Sequence, residues 1–193
     1  MNIVAFNGSP RKKGNTEVLL NAVASGIVET GATFEAVRLS ELKISPCIAC
    51  GGCNKTGKCV IKDDMQALYD KILSADKIII ASPIYFYALS AQTKIFIDRL
   101  QAMWSLKQLL HAKGEWCPVA EHKGYLLSVA ATHGSRIFEG AALCAQYAYD
   151  ALGFTYAGDF LVRGVDSRGE VKKETKKLDQ AVTFGRNIAI AQS

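Results

Sequence analysis

The chain predicts an α/β fold: a five-stranded parallel sheet with helices on both faces. Three observations support it. Short apolar runs alternate strictly with helical periodicities from one end of the chain to the other. The segment Lys77-Ile78-Ile79-Ile80-Ala81 is almost continuously apolar, as in a strand buried on both faces. No repeat, linker or low-complexity tract divides the 193 residues, so one domain over 1–193 is expected. Right-handed crossovers then put the helices in two layers around one sheet.

Ile3-Val4-Ala5-Phe6 reads as the first strand, closed by the turn Asn7-Gly8-Ser9-Pro10. Leu19, Ala22, Val23 and Gly26 share one face of the first helix, and Gly31 is placed to end it. Residues 34–39 form the second strand, and a cysteine-rich loop fills about 40–62. Asp63 or Asp64 caps the next helix, whose apolar face is Met65, Leu68, Tyr69 and Ile72. The third strand stops at Ser82-Pro83, and a helix spans about 90–103. Residues 104–122 have weak periodicity and hold both tryptophans, Trp104 and Trp116, read either as a lid or subunit contact or as buried packing. The fourth strand is 125–131; Ile137, Ala141, Cys144, Ala145 and Ala148 mark the helix after it. The fifth strand is 155–163, and Leu178, Ala181, Val182, Gly185 and Ile188 face inward from the last helix.

Net charge is a mild +5, with basic residues spread along the chain. The run Lys172-Lys173-Glu174-Thr175-Lys176-Lys177 is mixed in sign and reads as solvated helix surface. No basic stripe is interleaved with aromatics, which argues against nucleic-acid binding. Mild positive charge suits anionic small molecules such as phosphorylated cofactors. No apolar run reaches the roughly 18 residues of a membrane span. The start, Met1 to Gly8, carries no secretory pattern, so a cytoplasmic protein with reduced thiols is expected.

In a sheet of this type, ligands bind beyond the carboxyl ends of the strands. Three loops therefore stand out: 7–16, 82–90 and 131–136. The cysteine loop follows the second strand and lies at the same end. Gly8-Ser9-Pro10-Arg11-Lys12-Lys13-Gly14-Asn15-Thr16 leads from a strand into a helix N-terminus, where free N–H groups and the helix dipole attract phosphate. Ser9, Asn15 and Thr16 supply further donors, and Arg11 a charge-assisted one. The loop is neither a Walker loop nor G-x-G-x-x-G. Ser82-Pro83-Ile84-Tyr85-Phe86-Tyr87 sets aromatic residues after a buried strand. A flat ring system lying on Ile84 and Tyr85 would use them; packing on a neighbouring helix or subunit is the plainer alternative.

Cys47-x2-Cys50-x2-Cys53-x5-Cys59 puts four thiols in thirteen residues. Four cysteines suit a [4Fe–4S] cluster. They also suit tetrahedral zinc, although zinc ribbons pair two separated C-x-x-C knuckles. Free or redox-active thiols are the third reading. Cys117 and Cys144 stand apart and are not read as ligands. His111, His122 and His133 have no metal spacing, and only His133 sits on a candidate loop. Asp98-Arg99 reads as a structural ion pair or helix contact.

Gly8-Ser9-Pro10-Arg11 with Asn15-Thr16, then Ser82-Pro83-Ile84-Tyr85 and Lys94-Ile95-Phe96-Ile97-Asp98-Arg99, resembles the flavodoxin-like NADPH-dependent FMN reductase family. The cysteine run resembles the motif of its iron–sulfur flavoprotein branch. The resemblance covers about residues 1–135. It implies a flavodoxin-like three-layer sandwich, strand order 2-1-3-4-5, FMN at the strand ends, and homodimers or homotetramers. By the same resemblance Ser9, Arg11, Asn15 and Thr16 hold the FMN phosphate, and Pro83, Ile84, Tyr85 and Phe86 border the ring. Thr132, His133 and Gly134 fall at the family's third flavin loop. The phosphate loop departs from the T/S-x-T-G-x-T pattern of small carrier flavodoxins, which favours an enzyme. The expected function is an FMN oxidoreductase moving electrons between NAD(P)H or a reduced carrier and a quinone-like or protein acceptor, with a [4Fe–4S] cluster on the four cysteines. No catalytic side chain is named. A non-enzymatic electron carrier, or a flavin-binding protein with structural zinc, are the alternatives.

Overall fold

A computed structural model describes residues 1–120 and 122–190. Glu121 and residues 191–193, part of the expected 1–193 domain, lie outside the described residues. In chain order the elements are β1 (Asn2–Asn7), α1 (Asn15–Val28), β2 (Thr33–Arg38), a 3-10 turn (Leu39–Glu41), α2 (Cys53–Thr56), α3 (Met65–Leu73) and β3 (Lys77–Tyr85). Then come β4 (Ala88–Leu89), α4 (Ala91–Arg99), α5 (Gln101–Lys113), β5 (Lys123–Ala130), α6 (Glu139–Leu152), β6 (Thr155–Arg163), a 3-10 turn (Glu170–Lys173) and α7 (Thr175–Ile190).

The sheet runs β2-β1-β3-β5-β6, every pair parallel. Counted without the two-residue β4, which pairs antiparallel with β3, this is the expected order 2-1-3-4-5. Among the described residues the sixth strand is the only addition to the expected five.

The central strands are apolar throughout because each feeds two cores. Val4, Phe6, Ile78, Ile80 and Leu126 point to the layer of α3, α4 and α6. Their neighbours Ile3, Ala5, Ile79, Ala81 and Leu127 point to α1 and α7. Alternation of side chains across a strand produces this division. The α1 and α7 backbones touch: a Cβ on Gly26 would lie 2.0 Å from the Val182 carbonyl oxygen, and one on Gly185 2.0 Å from that of Val23. On the other face Tyr149 sends its hydroxyl into the sheet. It accepts from Ile80 N–H at 3.0 Å and donates to the Tyr125 carbonyl at 2.6 Å, beside the β5–β6 register shift.

Several boundaries differ from expectation. β3 passes through Ser82-Pro83 to Tyr85. The β1 ladder ends at Ala81, so Pro83 has β5 on one side and no β1 neighbour to receive an N–H. The helix expected over 90–103 is two helices, broken at Leu100, and α5 continues to Lys113 through the segment of weak periodicity. α5 buries only Ala102, Met103 and Ser105, so it leaves no long apolar stripe to read. α1 ends at Val28, and Gly31 instead occupies the turn beyond it, at φ +84. Leu39 opens a 3-10 turn rather than closing β2, while β5 starts two residues early and ends at Ala130. Asp64 precedes α3 but makes no side-chain cap; the Asp63 carboxylate accepts from Met65 N–H at 3.1 Å. No helix of the described residues is long and apolar enough to cross a membrane.

Candidate functional site

The first turn is held from below by backbone and serine contacts. Gly8 N–H donates to the Ala81 carbonyl at 2.8 Å, and Ser90 Oγ donates to the Gly8 carbonyl at 2.6 Å. Ser90 in turn caps α4 and meets Thr93 Oγ1 at 2.9 Å. Gly8 has no room for a side chain here: a Cβ would lie 1.9 Å from Thr93 Oγ1. Asn7 Oδ1 accepts from Ser9 N–H at 2.9 Å, and Arg38 Nη1 donates to the Ser9 carbonyl at 3.3 Å. Arg38 also pairs with Glu17 in the first turn of α1. Burial pushes the Glu17 carboxyl up, but Arg38, the Lys13 N–H and Lys12 together hold it below the usual value.

These contacts shape a recess of about 60 Å³ at the N-terminus of α1. Ser9, Arg11, Asn15 and Thr16 line it from the first turn, and Pro83, Ile84 and Tyr85 from the end of β3. Seven of the eleven residues expected at a cofactor are therefore brought together. Phe86 is not: it is fully exposed at the tip of the β3–β4 hairpin. Phe86 and Tyr87 take φ +50 and +62, values that two-residue hairpin turns usually assign to Asn-Gly. Thr132 and His133 are exposed and outside the recess. His133 lines a separate groove with Phe138, Arg163 and Lys177. Gly134 faces Tyr87, whose hydroxyl oxygen lies 2.4 Å from where a Cβ on Gly134 would stand.

Gly14, Val129 and Ala131 also line the recess, and Val165 and Asp166, in the loop after β6, complete it. They are absent from the sequence-based candidates. Arg11 Nη1 donates to the Asp166 carbonyl at 2.9 Å. Asn15 donates to the Ser167 carbonyl at 3.0 Å and accepts from Val171 N–H at 3.1 Å. The Asn15 side chain thus pins the β6 loop to the α1 N-terminus. The strand-end rule that singled out the other loops applies equally to this one.

The four cysteines line a second cavity, of about 420 Å³, with Ile48, Ala49, Val60 and Ile61 among its walls. Cys53 starts the single turn α2, and Ser105 Oγ donates to its sulfur at 3.4 Å. Ala49 has φ +51, a constraint that belongs to the tight C-x-x-C turn. Among the described residues no three His, Cys, Asp or Glu stand close enough together to hold a metal ion. The four cysteines nevertheless line one cavity, and four soft sulfur donors are the chemistry an iron–sulfur cluster requires.

Asp98 and Arg99 do not pair with each other. Asp98 meets Lys94 on the surface at 2.5 Å. Arg99 is 1% exposed and reaches Asp63 at 2.7 Å and the Ser45 carbonyl at 2.8 Å. Cys144 is half-buried, and burial raises its thiol pKa; Cys117 is exposed. Trp104 is partly exposed beside α6, whereas Trp116 lies near Gly153, His111 and Lys107.

A parallel sheet flanked by helices, with a small recess where the first strand enters a helix, defines an α/β protein of flavodoxin-like architecture. The chain belongs to the NADPH-dependent FMN reductase family, whose model matches residues 1–137. It is 40% identical over 99 residues to an iron–sulfur flavoprotein of Methanocaldococcus jannaschii, covering 51% of each chain. It is also 40% identical over 99 residues to an iron–sulfur flavoprotein of Methanosarcina thermophila, covering 51% of this chain and 52% of that one. The chain thus spans about half the length of the curated relatives it matches. Among solved structures, the NAD(P)H:quinone oxidoreductase from Methanothermobacter marburgensis superposes with TM-score 0.73 at 18% identity, over 100% of this chain and 98% of that one. A flavone reductase gives 0.70 at 20% identity, over 98% and 62%. At such identities the likeness is one of fold.

Proposed function

We infer that the chain is an FMN-dependent oxidoreductase that takes electrons from NAD(P)H or a reduced carrier and delivers them to a quinone-like or protein acceptor. The observation that carries this reading is the meeting of the Ser9–Thr16 turn with Pro83, Ile84 and Tyr85 around one recess. Backbone N–H groups at the start of α1, with Ser9 and Thr16, would bind the FMN phosphate, and Arg11 would offset its charge. Ile84 and Tyr85 would support the ring, leaving one ring face for a substrate. Cys47, Cys50, Cys53 and Cys59 would hold a [4Fe–4S] cluster in the apolar cavity that they line. When bound, FMN supplies interchange between two-electron and one-electron transfer, and the cluster supplies one-electron chemistry. No protein acid or base is needed for a hydride to reach a flavin, and no side chain is assigned that role. Trp104, Leu143 and Tyr147 expose apolar surface along α5 and α6, which supports a homodimer or homotetramer. A single cytoplasmic domain is part of the same reading.

The test is anaerobic purification followed by spectroscopy and turnover. The expected protein binds FMN, contains iron and sulfide, and oxidises NADPH or NADH when a quinone is present. Flavin and iron without turnover would instead indicate an electron carrier, and zinc in place of iron a structural centre. Failure to bind FMN at all would sink the assignment.

A further inference from the structure

We propose that Arg99 and Asp63 form a buried clasp that closes the two ends of the four-cysteine loop, making Arg99 a positioning residue for the cysteine centre. The clasp rests on the reading that the four thiols ligate a cluster. Its geometry is specific. Ser45 lies just before Cys47, and Asp63 lies just after Cys59. Arg99 Nη1 donates to the Ser45 carbonyl at 2.8 Å and to Asp63 Oδ2 at 2.7 Å, and Nη2 donates to Asp63 Oδ1 at 3.2 Å. Asp63 Oδ2 also accepts from Ser45 N–H at 2.9 Å. One guanidinium at the end of α4 therefore ties together both strands of chain that enter and leave the cysteine segment. The fork–fork geometry is one that lysine cannot reproduce.

The clasp is more than a loop fastener. The Arg99 side chain is fully buried and that of Asp63 only 10% exposed. Arg99 Nε is buried without a hydrogen-bond partner among the described residues. Packed apolar residues would hold two chain ends together with less desolvation. A buried guanidinium offers something they do not: it fixes the charge balance next to the cysteine segment. The guanidinium's two anchors, Ser45 and Asp63, stand two and four residues from Cys47 and Cys59, and the Tyr69 hydroxyl donates to the Arg99 carbonyl at 2.9 Å. A four-thiolate cluster gains negative charge on reduction; without Arg99 the Asp63 carboxylate would stand uncompensated next to the cysteine segment, which disfavours the reduced form.

The test compares wild type with Arg99→Met, Arg99→Lys and Asp63→Asn, using FMN content to verify folding. In metal-free protein the alkylation rate of Cys53 and Cys59, and tryptic cleavage at Lys55 and Lys58, should rise about tenfold in Arg99→Met as the loop opens. In iron-loaded protein the reduction constant should fall about tenfold, equal to about 59 mV for a one-electron couple. Arg99→Lys should restore much of the potential, because it keeps the charge, but little of the alkylation protection, because it loses the fork. Should Arg99→Met not fold, Asp63→Asn decides the loop arm and Arg99→Lys both arms. Unchanged alkylation together with an unchanged potential overturns the clasp. If wild type takes up no iron, the cluster reading fails, and the alkylation arm still decides whether the clasp orders the loop.

Discussion

Replacing Gly8 by alanine should damage the recess at the start of α1 from beneath. The added Cβ would lie 1.9 Å from Thr93 Oγ1, 3.0 Å from Thr93 Cβ and 3.1 Å from Ser90 Oγ. Thr93 and Ser90 are wholly buried, so neither can swing away. The turn must lift by roughly 1.5 Å before ordinary contact at 3.4 Å is reached. Overpacking of this kind costs about 1–3 kcal/mol. Loss of the Ser90–Gly8 hydrogen bond adds about 0.5–1.5 kcal/mol. Since Ser9 moves with Gly8, FMN affinity should fall at least about tenfold, or about 1.4 kcal/mol. Quenching of flavin fluorescence measures the affinity, and urea unfolding the stability. Thr93→Ala removes the closest atom, so the double variant should bind FMN better than Gly8→Ala alone. Gly8→Ala that binds FMN within about twofold of wild type, with Thr93→Ala giving no rescue, would refute the reasoning.

Tyr149→Phe should leave the Ile80 N–H and the Tyr125 carbonyl without their buried partner, costing about 2–4 kcal/mol. Calorimetry should then show a Tm lowered by about 4–16 °C, with the FMN site unaltered. Asp63 carries a pH dependence. Burial pushes its carboxyl up, but Arg99 and the N–H groups of Ser45 and Met65 outweigh that and hold it below its usual 3.8. The unfolded chain therefore takes up this proton at higher pH than the folded one does. Its stabilisation is complete above about pH 4 and is lost as the pH falls through the lower folded value. Urea midpoints for wild type and Asp63→Asn should accordingly differ at pH 6 and converge as the pH falls below about 4.

The parallel sheet was legible because buried strands must be apolar on both sides, as Ile78 to Ala81 are. The turn from β1 into α1 was legible because a helix start after a strand needs small and polar residues in a short span. α5 was not, since a helix lying mostly in solvent leaves no stripe. Pro83 was misleading for a different reason: proline stops a strand only where a neighbour needs its N–H. The β6 loop escaped notice because Val165 and Asp166 form no motif. They gain their place through Arg11 and Asn15, more than a hundred residues earlier in the sequence. The Arg99–Asp63 contact was hidden likewise, since Asp98 was the nearer acid in sequence and lies on the wrong face of α4.

The touching backbones of Gly26 and Gly185 also bear on biosynthesis. During synthesis α1 meets its helix partner only once α7 has been translated, and Asn15 must wait for the chain at Ser167 and Val171. A nascent polypeptide stalled before Thr175 should therefore remain colourless in the presence of FMN, with flavin uptake beginning only once α7 has emerged.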